Sequence, residues 1–349
     1  MTVARPHILT EADPLVRPAI HAALDRLDPH TRLTAGYQIG YWDATGEPTE
    51  GGSGKGLRST LALLSARAAG KSDQDGMPSA VAVELVHNFS LLHDDVIDGD
   101  LERRHRPTAW CAFGVGPAIL AGDALLNLAT DVLSELPGPD AAAAARCLTV
   151  AVRQLIAGQA ADMAFERRTD VTLDECLAMA RNKTAALLSC SATLGAVLGG
   201  GPTPLTRGLA RYGDRLGLAF QLVDDLLGIW GEPAVTGKPV LADLRARKKT
   251  VTVVRALTAG GPASDQFREL YCAAGELSPT DLSLAAMLIE ETGARDWTVK
   301  EADRLLTEAL TELDQLARMS AAGLLGTAAL TPLHDDLTAI AHFMTGRTY

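Results

Sequence analysis

Apolar residues recur along most of the chain at helical spacing, in Ala- and Leu-rich segments bounded by Gly, Pro and polar turns. The run Leu-Arg-Ser-Thr-Leu-Ala-Leu-Leu-Ser-Ala-Arg-Ala-Ala over 57–69 predicts a helix that stops at Gly70. A polar turn from Lys71 to Pro78 separates it from a helix over 79–98. Further helices are predicted over 116–134 and 141–165, split by Pro137-Gly138-Pro139, and over 174–200 and 206–229. Gly/Pro loops follow at 199–204 and 231–239. Periodicity resumes over 249–259, 280–292, 297–319 and 331–345. No segment alternates over the length of a strand, and no repeat of fixed period is present. Nothing reads as an interdomain linker. The pattern predicts one all-α domain, with a stretch of flexible composition from Gly46 to Gly56.

Two helices break this pattern with acid. Leu91-Leu92-His93-Asp94-Asp95-Val96-Ile97-Asp98 sets carboxylates at i, i+1 and i+4 in an apolar setting, and Phe220-Gln221-Leu222-Val223 leads into Asp224-Asp225. Helical residues step by about 100°, so Asp94 and Asp98 project from nearly one face. Burying such charge is costly unless something neutralises it. Carboxylate oxygens suit a hard divalent cation, and Mg²⁺ fits best.

Composition narrows the field. Hydrophobic residues make up 47% of the 349, enough for a large core, and aromatics only 4%. The apolar content is chiefly Ala and Leu, which favours helix over sheet. No uninterrupted apolar run reaches membrane-spanning length, and the N-terminus lacks the apolar core of a secretory signal. Cys111, Cys147, Cys176, Cys190 and Cys272 have no metal-site spacing, and their scatter suggests reduced thiols in a cytoplasmic protein. A net charge of −11 argues against nucleic acid and anionic membranes as partners. Basic residues nevertheless cluster beside glycines and acids: Lys55 and Arg58, Arg103-Arg104-His105-Arg106, Lys238, and Lys248-Lys249. Local positive clusters on an acidic chain suit a small, highly anionic ligand such as a diphosphate. Lys249 reads as plain surface charge.

The order and spelling of these pieces resemble the trans-isoprenyl diphosphate synthase, or polyprenyl synthetase, family. Gly54-Lys55-Gly56-Leu57-Arg58 resembles its first basic motif, and His87 stands seven residues before the first acidic motif. Asp94 to Asp98 resembles the first aspartate-rich motif, with Arg103-Arg104 after it. Gln159 with Asp162, Lys183-Thr184, Gln221 to Asp225, and Thr236-Gly237-Lys238 follow in the family's order. The resemblance runs from about Gly51 to the C-terminus. It implies a single helical bundle of the type I isoprenoid synthase fold around a central cavity. It also implies a catalytic domain over 51–349, with 1–50 a helical or flexible segment of the same domain.

The implied reaction joins an allylic diphosphate to isopentenyl diphosphate, with the allylic diphosphate leaving first. Cations must hold the departing charge more tightly in the transition state than in the ground state. By resemblance, Asp94, Asp98 and Asp224 ligate Mg²⁺, three ions per site, with Asp95 and Asp225 acting through water or neighbours. Arg103, Lys183 and Lys238 clamp the allylic diphosphate, Lys248 is a further substrate-binding candidate, and Thr184 and Gln221 set dipoles near the reacting carbons and the diphosphate. Lys55, Arg58, His87 and Arg104 hold isopentenyl diphosphate. The released diphosphate takes the final proton, so no dedicated base is required. A homodimer is implied. Gln159 and Asp162 read as interhelical pairing groups.

Four positions depart from the family spelling: Gly56 and Ser59, the latter replacing a frequent Pro; His105, replacing a Gly; and Gly228, where the second motif lacks its last Asp. Loss of that Asp is expected to weaken metal binding only modestly. Phe89 and Ser90, the fifth and fourth residues before Asp94, resemble the pair in geranylgeranyl diphosphate synthases, with Phe89 facing the channel as its floor. Farnesyl diphosphate is the alternative product. A class I terpene cyclase of the same fold and a non-catalytic subunit of a heteromeric synthase are the competing functions.

Overall fold

The computed structural model describes residues 4–49, 56–231, 240–325 and 330–346. Lys55 and Lys238 lie outside the described residues.

Helices α1 (His7–Leu24) and α2 (Pro29–Ile39) open the chain, followed by α3 (Leu57–Ala68) and the long α4 (Asp73–Asp98). A small antiparallel hairpin, β1 (Glu102–Arg103) and β2 (Arg106–Pro107), leads to α5 (Ala109–Phe113), α6 (Val115–Ser134) and α7 (Pro139–Phe165). Next come α8 (Leu173–Ala180), one π-helical turn over Arg181–Ala185, α9 (Ala186–Leu198) and α10 (Thr203–Trp230). The remaining helices are α11 (Ala242–Arg245), α12 (Val251–Leu257), α13 (Pro262–Cys272), α14 (Pro279–Glu291), α15 (Ala294–Ala321) and α16 (Leu330–Thr345).

Helix α4 is central, packing on α3, α6 and α9, while α10 packs between α9 and α15. One apolar cluster fills the space between α4, α6 and α7, with Leu85, Leu92, Leu125 and Leu155 among its members. A second joins α3, α9, α10, α15 and α16 through Leu61, Leu188, Tyr212 and Leu313. Most of these side chains are aliphatic and fully buried, which supplies the main stabilisation of a bundle poor in aromatics. Helix α1 packs on both clusters: Ile8 and Leu9 enter the second, and Val16 and Ile20 the first.

Several elements differ from the sequence expectation. Helix α4 begins at Asp73 because Ser72 and Asp75 form a reciprocal capping box, and Pro78 inside it forfeits a single backbone bond. The helix expected over 174–200 is interrupted by the π turn. Helix α13 was not predicted; its polar sequence buries only a few residues, among them Phe267 and Tyr271. Lys249 is also not a surface charge: it is 7% exposed, with its ammonium 5.1 Å from the centre of the Tyr271 ring.

Helices α6 and α7 have the length and apolar content of membrane spans. Each nevertheless buries one face in the bundle, through Ala121, Leu125 and Leu128 on α6 and Leu148, Ala151 and Leu155 on α7. Their outer faces carry exposed Val115, Ile119, Leu120, Val150, Ile156 and Met163.

Candidate active site

A cavity of about 440 Å³ opens between α1, α3, α4, α7, α9 and α10. The acidic helices enter it from two sides, with Asp94 of α4 and Asp224 of α10 both on its wall. Helical stepping explains which residues face it. His87, Ser90, Leu91 and Asp94 share a face of α4 and all line the cavity. Asp98 shares Asp94's face one turn on, outside the cavity wall, and pairs with Lys248 at 3.2 Å.

The second aspartate of each motif turns back into the protein. Asp95, 2% exposed, receives Arg103 Nε at 2.7 Å and Nη2 at 2.6 Å on the same oxygen, Oδ1. Its other oxygen, Oδ2, is buried without a hydrogen-bond partner among the described residues. Burial pushes the Asp95 carboxyl upward, opposed by the Arg103 pair. Asp225, 4% exposed, accepts the Gln221 amide at 2.8 Å on Oδ1 and the Val251 backbone N–H at 2.8 Å on Oδ2. Burial raises it to about 7. Asp94 is also raised by burial, against the pull of Lys183.

Lys183 and Thr184 project from the π turn, a device that re-aims side chains within a helix. Helix α7 approaches this turn so closely that a Cβ at Gly158 would lie 2.3 Å from Lys183 N. Lys183 Nζ sits 2.6 Å from Asp162 Oδ2, so Asp162 pairs between helices as expected. Gln159 does not: it is 7% exposed, and neither its Nε2 nor its Oε1 has a partner among the described residues. Thr184 Oγ1 donates to Gln221 Oε1 at 2.5 Å, completing a relay from Thr184 through Gln221 to Asp225. That relay fixes which end of the Gln221 amide faces Thr184.

A separate cationic group lines the other side of the cavity. Arg58 Nη1 lies 3.2 Å from His87 Nε2. A guanidinium can only donate, so Nε2 accepts and the imidazole proton sits on Nδ1. Burial, then Arg58, Arg104 and Arg103, hold His87 well below its ordinary value, so it is neutral at pH 7. Arg104 and His105 form the hairpin tip with φ of 55° and 60°. Left-handed backbone at both central residues is what a two-residue hairpin of this twist requires, and it explains why Gly suits position 105.

Phe89 does not face the channel. Five residues before Asp94 corresponds to about 140° around the helix, so its ring turns away. It is 5% exposed in the α4–α6–α7 cluster and meets the His93 ring edge-on at 4.9 Å. Ser90 and Leu91, with Leu155 and Leu187, form the apolar wall in its place. At Gly228 the space of the missing side chain is taken: a Cβ there would lie 1.9 Å from Asp243 Oδ2.

Sequence reasoning missed several cavity residues. Asp13, Val16, Arg17 and Ile20 of α1, Tyr41 after α2, Glu84 of α4, and Phe343 and Met344 of α16 all reach it. Glu84 was legible in principle, three residues before His87 on the same helical face; the others come from segments with no local chemical signature.

The donor chemistry suits Mg²⁺: carboxylate oxygens from Asp94 and Asp224 on the cavity wall, with Asp98 one helical turn beyond Asp94. No three acidic, His or Cys side chains among the described residues converge as a ready-made cage.

The polyprenyl synthetase family model matches residues 47–285. A (2E,6E)-farnesyl diphosphate synthase of Mycobacterium tuberculosis is 49% identical over 315 residues, covering 89% of this chain and 87% of that protein. A geranylgeranyl diphosphate synthase of the same organism is 42% identical, covering 86% of each. The crystal structure of a polyprenyl synthetase from Streptomyces coelicolor A3(2) superposes with a TM-score of 0.88 at 47% identity, covering 97% of this chain and 98% of that one. A geranylgeranyl pyrophosphate synthase from Corynebacterium glutamicum, solved with isoprenyl diphosphate and magnesium, gives 0.81 at 27% identity, covering 97% and 99%. The helical bundle, the paired acidic turns and the matched sequence agree: this chain belongs to the polyprenyl synthetase family.

Proposed function

We propose that this Mg²⁺-dependent trans-prenyltransferase condenses an allylic diphosphate with isopentenyl diphosphate and stops at geranylgeranyl diphosphate. The observation that carries the two-substrate reading is the pair of polar regions in one cavity, acidic at Asp94 and Asp224 and cationic at Arg58 and Arg104. A cyclase would have no use for the second.

Asp94, Asp98 and Asp224 would hold Mg²⁺, three ions per site. When bound, the ions supply positive charge against the departing diphosphate. Arg103, Lys183 and Lys248 add cationic donors from the protein, with Lys238 an expected fourth. Arg103 is oriented by Asp95 and Lys183 by Asp162, so both reach the anion pre-positioned. Thr184 and Gln221, linked to each other, would set dipoles near the carbons that become cationic. Arg58, Arg104 and the Nδ1–H of neutral His87 would hold isopentenyl diphosphate, with Lys55 completing that set. The proton lost at the end passes to the released diphosphate.

For product length, small Ser90 on the wall would admit a tail longer than farnesyl, and Leu155 and Leu187 would limit it. Farnesyl diphosphate is the second reading, favoured by the 49% identical relative of that name. The exposed apolar faces of α6 and α7 would pair with a second copy in a homodimer. Residues 1–50 are read as part of the catalytic unit, since α1 lines the cavity.

Calorimetry tests the two-site reading. Isopentenyl diphosphate should bind with the same affinity in EDTA and in Mg²⁺, whereas a non-ionisable allylic thiodiphosphate should bind only with Mg²⁺. Metal dependence of both would contradict a separate metal-free anion site.

A further inference from the structure

The family match begins at residue 47, so helix α1 lies outside every motif assigned above. It reaches the cavity nonetheless. Asp13, Val16, Arg17 and Ile20, spaced i, i+3, i+4 and i+7, set one face of α1 on the cavity that Arg58, His87 and Arg104 also line. Val16 and Ile20 are buried and fix that face against the bundle. Arg17 lies beside them, its guanidinium carbon 4.7 Å from the centre of the Tyr41 ring. Tyr41 is 3% exposed, lines the same cavity and stacks on His21, with ring centres 4.3 Å and planes 8° apart. A guanidinium held over an aromatic face keeps its N–H edge available to an anion. Among the described residues Arg17 forms no ion pair.

Glu84 links this platform to the second anion site. Its charge acts on Arg58 and Arg104, and it acts together with Arg17 and Asp13 on Tyr41. With His87 neutral and Arg103 matched by Asp95, the described charges around Glu84 are Arg58 and Arg104 against Glu84 and Asp13. Those four balance. Arg17 makes the count three cations to two carboxylates, a net attraction for a diphosphate that arrives without metal. We propose that Arg17 is a further binding residue for the diphosphate of the second substrate, supplied by α1 and held in place by the Tyr41 ring. This rests on the reading of Arg58 and Arg104 as the isopentenyl diphosphate site.

The test is calorimetry of isopentenyl diphosphate in EDTA for the wild type, Arg17→Gln, Arg17→Met and Arg17→Lys. KM for isopentenyl and geranyl diphosphate, kcat and thermal midpoint are measured beside it. Arg17→Gln should weaken isopentenyl diphosphate binding about tenfold, roughly 1.4 kcal/mol, and raise its KM in step. The geranyl diphosphate KM, kcat at saturation and the thermal midpoint should hold. Arg17→Met keeps an unbranched stem over Tyr41 and should show the same loss, which covers the case where Arg17→Gln does not fold. Arg17→Lys keeps the charge without the planar fork and should fall between, about threefold from the wild type. Wild-type affinity in both Arg17→Gln and Arg17→Met would overturn the role. So would an equal rise of both KM values with a lower thermal midpoint, the mark of a packing function. A wild-type protein that binds no isopentenyl diphosphate in EDTA would overturn the two-site reading and this role with it.

Discussion

The two acidic turns are spelled almost alike, yet the protein neutralises them differently. On α4 the second aspartate, Asp95, is matched by a full charge, with two nitrogens of Arg103 on one oxygen. On α10 the second aspartate, Asp225, has among the described residues two uncharged donors, Gln221 and the Val251 N–H, and its carboxyl is raised to about 7. In both, the first aspartate faces the cavity and the second ties down the element beside it. Asp95 anchors the hairpin that carries Arg104; Asp225 anchors the start of α12 and the Gln221–Thr184 relay. The same motif thus combines one group turned to the ligand with one turned to the fold. The difference lies in which neighbours the second one orders: cations at the first turn, dipoles at the second.

The largest expected effect comes from the cavity-facing pair. Asp94→Asn and Asp224→Asn should each lower kcat by about 10²–10³-fold, as expected for loss of a group that stabilises developing charge, with thermal midpoints little changed. Steady-state assays with circular dichroism melts check both halves.

Next are the substitutions that separate the two wall positions of α4. Phe89→Ala empties a buried site facing away from the cavity, so it should cost about 3–5 kcal/mol of stability and leave product length unchanged. Ser90→Phe points into the cavity and should shorten the product. Urea melts and mass spectrometry of dephosphorylated products measure these outcomes. A longer product from Phe89→Ala would return the floor to Phe89.

Gly228→Asp probes the asymmetry directly. Restoring the missing carboxylate would drive its Cβ against Asp243, so activity should fall rather than rise. A gain in activity would show that Asp243 yields and that the absent aspartate limits the natural chain.

The smallest effect concerns the second anion site under pH change. His87 titrates well below its usual value, so the unfolded chain binds more protons than the folded one as pH falls below about 6.5. The stability associated with the neutral ring is complete above that pH and is lost as pH falls toward the folded value. His87→Gln should flatten this part of the pH–stability curve, read from thermal midpoints between pH 5 and 8. Between pH 6.5 and 8 the wild-type KM for isopentenyl diphosphate should show no inflection from His87.

Much of this site was legible in the sequence, because its chemistry is local. Asp94 and Asp98 declare a face by spacing alone, and Lys183 and Gln221 stand beside motif positions. What local reading missed depends on distant contacts. The π turn under Lys183 requires Gly158 of α7. Burial of Lys249 depends on Tyr271. Phe89 was misjudged because sequence distance from Asp94 was read as depth, whereas the angle around the helix decides its face. Val16 and Ile20 carry no chemical label, and only packing of α1 on the bundle brings them to the cavity.

The most direct test incubates the purified protein with Mg²⁺, labelled isopentenyl diphosphate and dimethylallyl, geranyl or farnesyl diphosphate in turn, then reads the dephosphorylated products by mass spectrometry. A ladder incorporating label from every primer and ending at geranylgeraniol is the predicted result. Loss of the allylic diphosphate to hydrocarbon without incorporation of label, or no turnover of any primer, would contradict it.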